Sequence, residues 1–293
     1  MKPITSIVAS TCAAVLLLHC DVMQAESKAD TEDVIHWYSF NISPGGILSG
    51  PYHRQGIGYL FYEEYAAALP EYNHKFSYAN VARMRAVVEK KANSYITYIF
   101  HLPEYTEHRH WGPVNYIAPP NRIITRPSIA KQWANKRLSL ADILENQPLR
   151  LGLMAGRTYR VPELLEANRH NPNLFRKHAS SESIYKMIRS NRLDYTLGDW
   201  LELAYIEESL QMENTFVTIP MQEVREYTPN FVSCTRNPWG KKIIDKLNAV
   251  FSTVDIMEAK ILPHVLRWVR DNEKPIYARE YIRQVRKYLK GNR

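Results

Sequence analysis

The chain has 293 residues, of which 45% are apolar and 23% charged, and its formal net charge is +8. This composition is that of a globular protein with one large core or two smaller ones, which excludes intrinsic disorder. The basic residues are spread along the sequence, and no zinc-finger, RNA-binding or basic heptad motif accompanies them. The charge therefore indicates a mild preference for anionic ligands or surfaces and argues against nucleic-acid binding.

The N-terminus has the pattern of a secretory signal peptide over residues 1–25. Lys2 precedes an uncharged apolar run over residues 7–18, and Ala25 offers a small residue at the cleavage point. The run is too short to span a membrane, and no later stretch reaches the ~20 apolar residues that a span needs. The alternative is a lipoprotein signal ending at Cys20, although the histidine before that cysteine does not fit it. We therefore predict export to the periplasm with cleavage after Ala25.

The cysteine content excludes an intramolecular disulfide in the mature chain. Of the three cysteines, Cys12 and Cys20 lie in the predicted signal peptide, so Cys234 alone remains. The fold must therefore be held together by its core. Cys234 ends a segment typical of a strand, and we expect it to be a small buried residue rather than a reactive thiol.

The first part of the mature chain alternates between predicted strands and predicted helices. β-Branched and aromatic content indicates strands at three places, residues 34–38, 75–78 and 95–100. A helix begins near Gly56 and ends before Pro70, and a second helix follows Asn80, a predicted N-cap. Alternation of this kind with short connections predicts a doubly wound parallel sheet.

Prolines then interrupt the pattern, and a second α/β series follows. Pro119 and Pro120 precede an extended segment, and a helix with Ser139 as its predicted N-cap opens the new series. Ser181 is the predicted N-cap of a later helix. Further strands are expected at residues 149–154, 193–197 and 216–220. Residues 231–235 are extended again, and amphipathic helices complete the chain.

This order predicts a two-lobed α/β protein in which the second lobe is inserted into the first. Lobe 1 would comprise residues 26–121 and 229–293, and lobe 2 residues 122–228. Each lobe would be a doubly wound sheet flanked by helices, and two extended crossings between the lobes would act as a hinge. Clefts between domains are preferred sites for small ligands, so we expect the functional site between the lobes.

A polar segment between the third strand and the first crossing carries the charge that we expect at the cleft. Arg109 lies in this segment, and a charged turn followed by the crossing would bring its guanidinium to the cleft edge. Histidines and acids surround it, namely His101, Glu104, Glu107, His108 and His110. Such a group resembles a metal cluster, but a turn gives no fixed ligand geometry, so we predict no metal.

Several short motifs occur in the order and spacing of a known family. They are Trp37, Pro44-Gly45-Gly46, Gly56-Ile57-Gly58, Leu69-Pro70, Thr106-Glu107-His108-Arg109, and residues 151–158 and 191–199. With them the chain resembles the type 2 periplasmic solute-binding proteins (bacterial extracellular solute-binding protein family 3). Within that family it is similar to the polar amino-acid-binding branch and to an exported subgroup of it. The resemblance spans nearly the whole mature chain and implies the two-lobed type II periplasmic-binding fold.

The resemblance also implies a ligand that contacts both lobes. Arg109 matches the arginine that clamps the ligand carboxylate, a role for which a guanidinium fork is suited. Asp199 matches the aspartate that binds the ligand ammonium group, although it is equally well placed as a helix N-cap. Tyr38 and Phe40 match aromatic residues that cover the apolar part of the ligand, although Tyr38 also fits the protein core.

The turn after the first parallel strand of lobe 2 matches the glycine–threonine turn of the family. Gly156, Arg157 and Thr158 would there offer backbone and side-chain donors at a helix start, where anions are favoured. Arg157 departs from the family pattern, which has a small polar residue at this position. A second positive charge would favour a more acidic ligand, or the side chain would simply point to solvent.

The predicted function is that of an exported monomer that captures a small polar or anionic, amino-acid-like solute by lobe closure. It would deliver the solute to an ABC permease or report it to a receptor, without a cofactor. One alternative is an enzyme on the same scaffold, dehydratase-like or cell-wall-related, with Glu104 or Asp199 as proton donor. The sequence has no nucleophile elbow, His-Glu-x-x-His or Walker motif, which disfavours that alternative. The other alternative is an envelope interaction module with a vestigial cleft.

Overall fold

The structure is a computed structural model that describes residues 34–90, 93–101, 105–133 and 138–291. The predicted signal peptide, its cleavage site and Glu104 lie outside the described residues. Within the described ranges, ten strands form two five-stranded sheets. No helix in these ranges is long and apolar enough to cross a membrane.

The chain begins with an alternating series of strands and helices. Its elements are β1 (Val34–Phe40), α1 (Ile57–Ala68), β2 (Asn73–Ala79), α2 (Val81–Lys90), β3 (Ser94–Phe100) and β4 (Arg109–Ala118). Strand β1 pairs in parallel with both β2 and β3. Parallel neighbours need a crossover connection, and helices α1 and α2 supply it here.

A second series begins after a first crossing at residues 119–121. Its strands are β5 (Arg122–Thr125), β6 (Leu151–Met154), β7 (Leu174–Lys177), β8 (Tyr195–Gly198) and β9 (Val217–Pro220). Its helices are α3 (Pro127–Ala130), α4 (Leu140–Asn146), α5 (Pro162–Ala167), α6 (Ser181–Arg189) and α7 (Trp200–Leu210). The strands form one sheet in the order β7–β6–β8–β5–β9. This sheet and its helices are lobe 2.

The chain returns to the first sheet through a second crossing at residues 221–227. It continues as β10 (Thr228–Thr235), α8 (Pro238–Val250), α9 (Val254–Lys260), α10 (Leu262–Leu266) and α11 (Lys274–Gly291). Strand β10 lies antiparallel between β3 and β4, which completes a sheet in the order β2–β1–β3–β10–β4. This sheet and its helices are lobe 1. The arrangement confirms the predicted two-lobed α/β architecture.

Local capping signals begin several of these helices. Asn80 accepts a hydrogen bond from the backbone N–H of Arg83 at 2.9 Å, and Ser139 accepts one from that of Asp142 at 3.2 Å. Both N-cap predictions are confirmed. The prediction of Ser181 is wrong by one residue. Ser180 has the extended backbone of an N-cap and accepts the N–H of a residue three positions on, so Ser181 is already helical.

The largest apolar core continues from lobe 1 into lobe 2. Trp37 of β1 is fully buried in it, with its ring stacked on that of Tyr65 at a centroid distance of 5.4 Å. Trp200 at the start of α7 belongs to the same core. Cys234 is fully buried there as expected, and burial raises the pKa of its thiol to about 12. The lobes therefore share buried apolar surface in addition to the two crossings.

Helix α7 of lobe 2 lies against the C-terminal helices of lobe 1. The contacts are the ring pair Trp200–Tyr277 at 5.6 Å, the ring pair Tyr205–Trp268 at 5.3 Å, and the ion pair Arg270–Glu207. All of them join α7 to residues that follow α10. They connect the helix that begins after Asp199 to the C-terminal part of lobe 1.

Candidate functional site

A cavity of about 160 Å³ lies between the two lobes. Lobe 1 contributes residues at the ends of β1 and β3, and lobe 2 contributes the segments that follow β6 and β8. Open α/β sheets bind ligands outside the carboxyl ends of their parallel strands, and all four of these strands present that end to the cavity. The cavity therefore occupies the cleft expected from a two-lobed architecture.

The lobe 1 wall of the cavity is aromatic. It contains Phe40, Tyr98, Phe100, Tyr105 and Tyr116. The ring of Tyr98 lies 6.3 Å from that of Phe40 and 5.5 Å from that of Tyr116, measured between centroids. Burial raises the pKa of both tyrosines above the usual value, so their phenols stay neutral at physiological pH. Such a wall suits the apolar part of a ligand and leaves phenolic groups for hydrogen bonding.

The loop after β1 lies directly against this wall. A Cβ atom on Gly45 would be 1.7 Å from Oη of Tyr98, so the approach of the loop requires glycine at this position. In the same loop, Ser43 donates a hydrogen bond of 3.2 Å to Oε1 of Glu182 in lobe 2. The glycine-containing motif after β1 thus shapes the cavity and connects the lobes at its edge.

Two charged residues in the lobe 2 wall neutralise each other. Nη1 and Nη2 of Arg157 donate to Oε1 and Oε2 of Glu202 at 2.9 and 2.8 Å, a bidentate ion pair. The exposed fraction is 13% for the Arg157 side chain and 3% for that of Glu202. Burial alone would lower the pKa of Arg157, but the adjacent carboxylate raises it well above the usual value. The guanidinium fork of Arg157 is therefore occupied within the protein.

Asp199 lines the cavity and begins helix α7. Its Oδ1 accepts the backbone N–H groups of Leu201 and Glu202, both at 3.0 Å, which confirms that it is an N-cap. Burial raises the pKa of its carboxyl to about 6, and the charge of Glu202 adds to this, whereas the two backbone bonds and Arg157 oppose it. Asp199 is thus a predominantly ionised carboxylate at neutral pH that is poorly solvated.

Arg160 is a second arginine in the lobe 2 wall, and the sequence interpretation missed it. Its Nη1 is buried with no hydrogen-bond partner in the described part of the chain. Its backbone N–H donates to Oδ1 of Asn121 in the first crossing at 3.1 Å. Burial lowers the pKa of the guanidinium, and the charge of Glu226 in the second crossing opposes the shift. The available signal was a second arginine in the turn that carries Arg157.

Four of the predicted site residues line the cavity, namely Phe40, Arg157, Thr158 and Asp199. Gly156 is exposed, with a φ of +80°, and is not part of the cavity wall. Tyr38 is 5% exposed and packs in a small core with Met84 and Ile96 beneath α2. The prediction that Tyr38 covers the ligand is therefore corrected to its alternative, a core residue.

Arg109 does not reach the cavity, and its predicted role is also corrected. Its side chain is buried, with the residue 2% exposed, and burial lowers the pKa of its guanidinium to about 10. Nη2 donates to the carbonyl oxygens of Ser94 and Ser233, both at 3.0 Å, and Nη1 donates to the hydroxyl of Ser94 at 2.8 Å. Nε donates to the hydroxyl of Ser233 at 3.3 Å. The polar groups of lobe 1 therefore occupy all three guanidinium nitrogens.

The position of Arg109 follows from the direction of β4. Arg109 is the first residue of this ten-residue strand and pairs with Thr235 at the end of β10. Only the other end of β4, with Tyr116 and Ala118, lines the cavity. A strand of this length spans about 30 Å, so Arg109 lies at the opposite edge of the sheet. The connection after β3 returns the chain to that edge instead of staying at the cleft.

The histidines near Arg109 do not assemble a metal site in the described residues. His101 packs its ring against that of Trp111 with centroids 4.3 Å apart, and His108 is exposed. Among the residues that the structure describes, no three His, Cys, Asp or Glu side chains are close enough to hold a metal ion.

Neither a protein-family model nor a curated protein matches the chain. Solved structures do match it. The histidine-bound substrate-binding protein of an ABC uptake transporter from Streptococcus pneumoniae has a TM-score of 0.60 and 16% identity, over 83% of this chain and 95% of that one. The fold is that of the periplasmic amino-acid-binding proteins.

Two further structures show the same likeness. The periplasmic VFT2 domain of BvgS from Bordetella pertussis has a TM-score of 0.56 and 11% identity, over 84% of this chain and 97% of that one. The probable amino-acid ABC transporter extracellular-binding protein ytmK from Bacillus subtilis has a TM-score of 0.59 and 14% identity. Its match covers 82% of this chain and 99% of that one. At such identities the likeness concerns the fold, and the function must be argued from the site.

Proposed function

We propose that the protein binds a small amino-acid-like solute in the cavity between its lobes. The observation that carries the proposal is the composition of that cavity, which has an aromatic wall from lobe 1 opposite charged groups from lobe 2. Asp199 is the acceptor we assign to the ligand ammonium group. Both of its hydrogen bonds in the described chain go to Oδ1, so Oδ2 remains for a ligand.

The size of the cavity limits the ligand. An engineered protein cavity of about 150 Å³ accommodates benzene, and the volume here is about 160 Å³. We therefore infer a solute on the order of ten non-hydrogen atoms or fewer, the size range of an amino acid. Phe40 and Tyr98 would cover its apolar part, and Thr158 would donate a hydroxyl hydrogen bond to its polar part. Contacts with both lobes would favour the closed arrangement.

The cellular role that we propose is periplasmic capture of the solute by a monomer, without turnover, after export and removal of residues 1–25. The solved structures with this fold include a protein of an ABC uptake transporter and a histidine kinase sensor domain. They support a role either beside a permease or in reporting to a receptor. The fold neighbours from Streptococcus pneumoniae and Bacillus subtilis are binding proteins, which favours binding over catalysis.

Native mass spectrometry and thermal shift test the proposal. We expect freshly purified protein to retain a small molecule, and the stripped and refolded protein to melt at a higher temperature with at least one of the twenty amino acids. A ligand at 100 times its Kd adds about 2.7 kcal/mol to the free energy of unfolding. The absence of both a retained molecule and any thermal shift would contradict the proposal.

A matched pair of variants assigns the binding to this cavity. Asn is as good an N-cap as Asp, so Asp199→Asn should keep helix α7 while removing the charge offered to the ligand. Asp142→Asn changes an exposed carboxylate in the first turn of α4 and serves as the control. We expect the ligand-dependent thermal shift to be lost in the first variant and kept in the second.

A further inference from the structure

We propose that Arg160 binds the ligand carboxylate, so that both charged anchors of the cavity, Arg160 and Asp199, belong to lobe 2. The ligand class is then a free α-amino acid whose side chain faces the aromatic wall of lobe 1. This inference rests on the proposed function and specifies how that same cavity recognises its ligand.

The cations of the cavity wall differ in whether they are available to a ligand. Two arginines are in the described cavity wall, Arg157 and Arg160. Both Nη atoms of Arg157 are bonded to Glu202 at 2.8 and 2.9 Å, so that arginine has no fork to offer a ligand. Arg160 has neither a side-chain hydrogen bond nor an ion pair with any described residue, and its Nη1 is buried. The available positive charge is therefore that of Arg160.

The guanidinium of Arg160 has donors without acceptors in the described chain. A buried donor without an acceptor is unfavourable, and most such groups in folded proteins are satisfied by protein, water or a ligand. Nε and Nη2 of Arg160 have no partner in the described chain either and, unlike Nη1, are not fully buried. This edge of the guanidinium is the one that pairs with a carboxylate in the cavity through two parallel bonds. Glu226, the acidic residue whose charge acts on Arg160, is itself exposed and forms no ion pair with it in the described chain.

The charged residues of the cavity wall are distributed unequally between the lobes. Every described lobe 1 residue that lines the cavity is uncharged, including Ser43, Asn230 and the five aromatic residues. The arginine that the family resemblance assigned to lobe 1, Arg109, lies at the far edge of that sheet. Lobe 2 therefore has to recognise both ends of a zwitterion, with lobe 1 covering its side chain.

The position of Arg160 also connects it to the crossings. Its backbone N–H is bonded to Asn121 in the first crossing, and the charge of Glu226 acts on it from the second crossing. A carboxylate held by Arg160 would lie at the hinge side of the cavity. Ligand recognition and the relative position of the lobes would then involve the same residue.

Isothermal titration calorimetry on the stripped full chain tests the inference. The probes are the L-amino acid that gives the largest thermal shift, its decarboxylated amine and its deaminated acid. We expect the amino acid to bind at least about 10-fold more tightly than the amine. We expect Arg160→Gln to weaken amino-acid binding by about 10- to 100-fold and to leave amine binding unchanged. Arg160→Lys keeps the positive charge without the guanidinium fork, so its affinity for the amino acid should lie between those of the wild type and Arg160→Gln.

Stability measurements separate recognition from a structural role. Because Nη1 has no partner in the described chain, Arg160→Gln should melt no lower than the control Arg192→Gln, which changes an exposed arginine of the same lobe. A melting temperature below that of the control would assign Arg160 to the fold and overturn the inference.

The binding outcomes are distinguishable from one another. Unchanged amino-acid affinity in Arg160→Gln, or equal losses for the amino acid and the amine, would overturn the inference and leave the proposed function standing. Binding of none of the twenty amino acids by the wild-type chain would overturn the proposed function, and this inference with it.

Discussion

Arg109 and Arg160 both have buried guanidinium nitrogens, but only one of them is satisfied by the protein. The nitrogens of Arg109 donate to hydroxyl and carbonyl oxygens of Ser94 and Ser233 at the far edge of the lobe 1 sheet. Nη1 of Arg160 is buried in the wall of the inter-lobe cavity without an acceptor in the described chain. The first arrangement is complete within the protein, and the second leaves donors that the proposed ligand would use.

The position of an arginine in a motif therefore does not decide whether its donors are available to a ligand. Arg109 stands where the family pattern has its carboxylate clamp, yet its donors are used within one lobe. Arg157 is intermediate, since it lines the cavity but is paired with Glu202. Three arginines with the same chemistry thus differ in the acceptors that surround them.

The largest expected effect on stability is that of substituting Arg109. Arg109→Met leaves two carbonyl and three hydroxyl groups without their guanidinium donor, so we expect the free energy of unfolding to fall by about 3 kcal/mol. Ligand affinity should not change. Urea denaturation and calorimetry measure the two quantities, with Arg192→Met as the surface control. Lost affinity at unchanged stability would restore Arg109 as the ligand clamp and reverse the comparison.

A further effect on stability is expected when the ion pair between Arg157 and Glu202 is broken. Glu202→Gln removes the countercharge of Arg157 within a pair that is mostly buried, and we expect a loss of about 2 kcal/mol in the free energy of unfolding. The same change leaves a second guanidinium without a carboxylate partner in the cavity. Affinity for the deaminated acid should therefore rise several-fold, as measured by calorimetry. A fall in that affinity would contradict the neutralisation of Arg157 by Glu202.

The free energy of unfolding should depend on pH through the carboxyl group of Asp199. Its pKa is raised to about 6, so the folded protein binds more protons at this group than the unfolded chain does between pH ~4 and 6. Stability from this group is therefore highest in acid and falls by about 3 kcal/mol as pH rises through that window. The charged groups that act on it are Glu202 and Arg157.

Asp199→Asn is the comparison for that measurement. Relative to the wild type, this variant should gain about 3 kcal/mol in the free energy of unfolding above pH ~7 and nothing below pH ~4. Amino-acid affinity of the wild type should fall by about tenfold per pH unit below pH ~6, because the ammonium group needs the ionised carboxylate. Wild-type affinity that stays constant from pH 7 to 5 would exclude Asp199 as that acceptor.

The smallest effect separates two aromatic residues of one strand. Phe40 lines the cavity at the end of β1, whereas Tyr38 is enclosed in the core beneath α2. Phe40→Leu should weaken amino-acid binding by about 1 kcal/mol with little change in stability, and Tyr38→Leu should do the reverse. Equal effects on affinity from both substitutions would mean that the wall extends further along the strand than the cavity indicates.

Much of the fold was predictable because its signals are local. The strand–helix alternation of the first lobe, the prolines at the first crossing and the N-caps at Asn80 and Ser139 depend on residues that are close in sequence. The N-cap role of Asp199 was predictable for the same reason, whereas its place at the site was expected from the family resemblance. The Ser180–Ser181 error has a local cause as well, because two adjacent serines offer the same cap.

The sequence by itself determined the two α/β lobes, their order along the chain and the residues in the turns after the parallel strands. Tertiary structure decided which of those residues meet. Strand β10 returns from beyond the second lobe to supply Ser233 beside Arg109, and Glu202 reaches Arg157 from 45 residues away. Periodicity and capping act over a few residues, whereas the acceptor of each guanidinium depends on strand order and helix docking. The role of each arginine is therefore set only when the sheets are assembled.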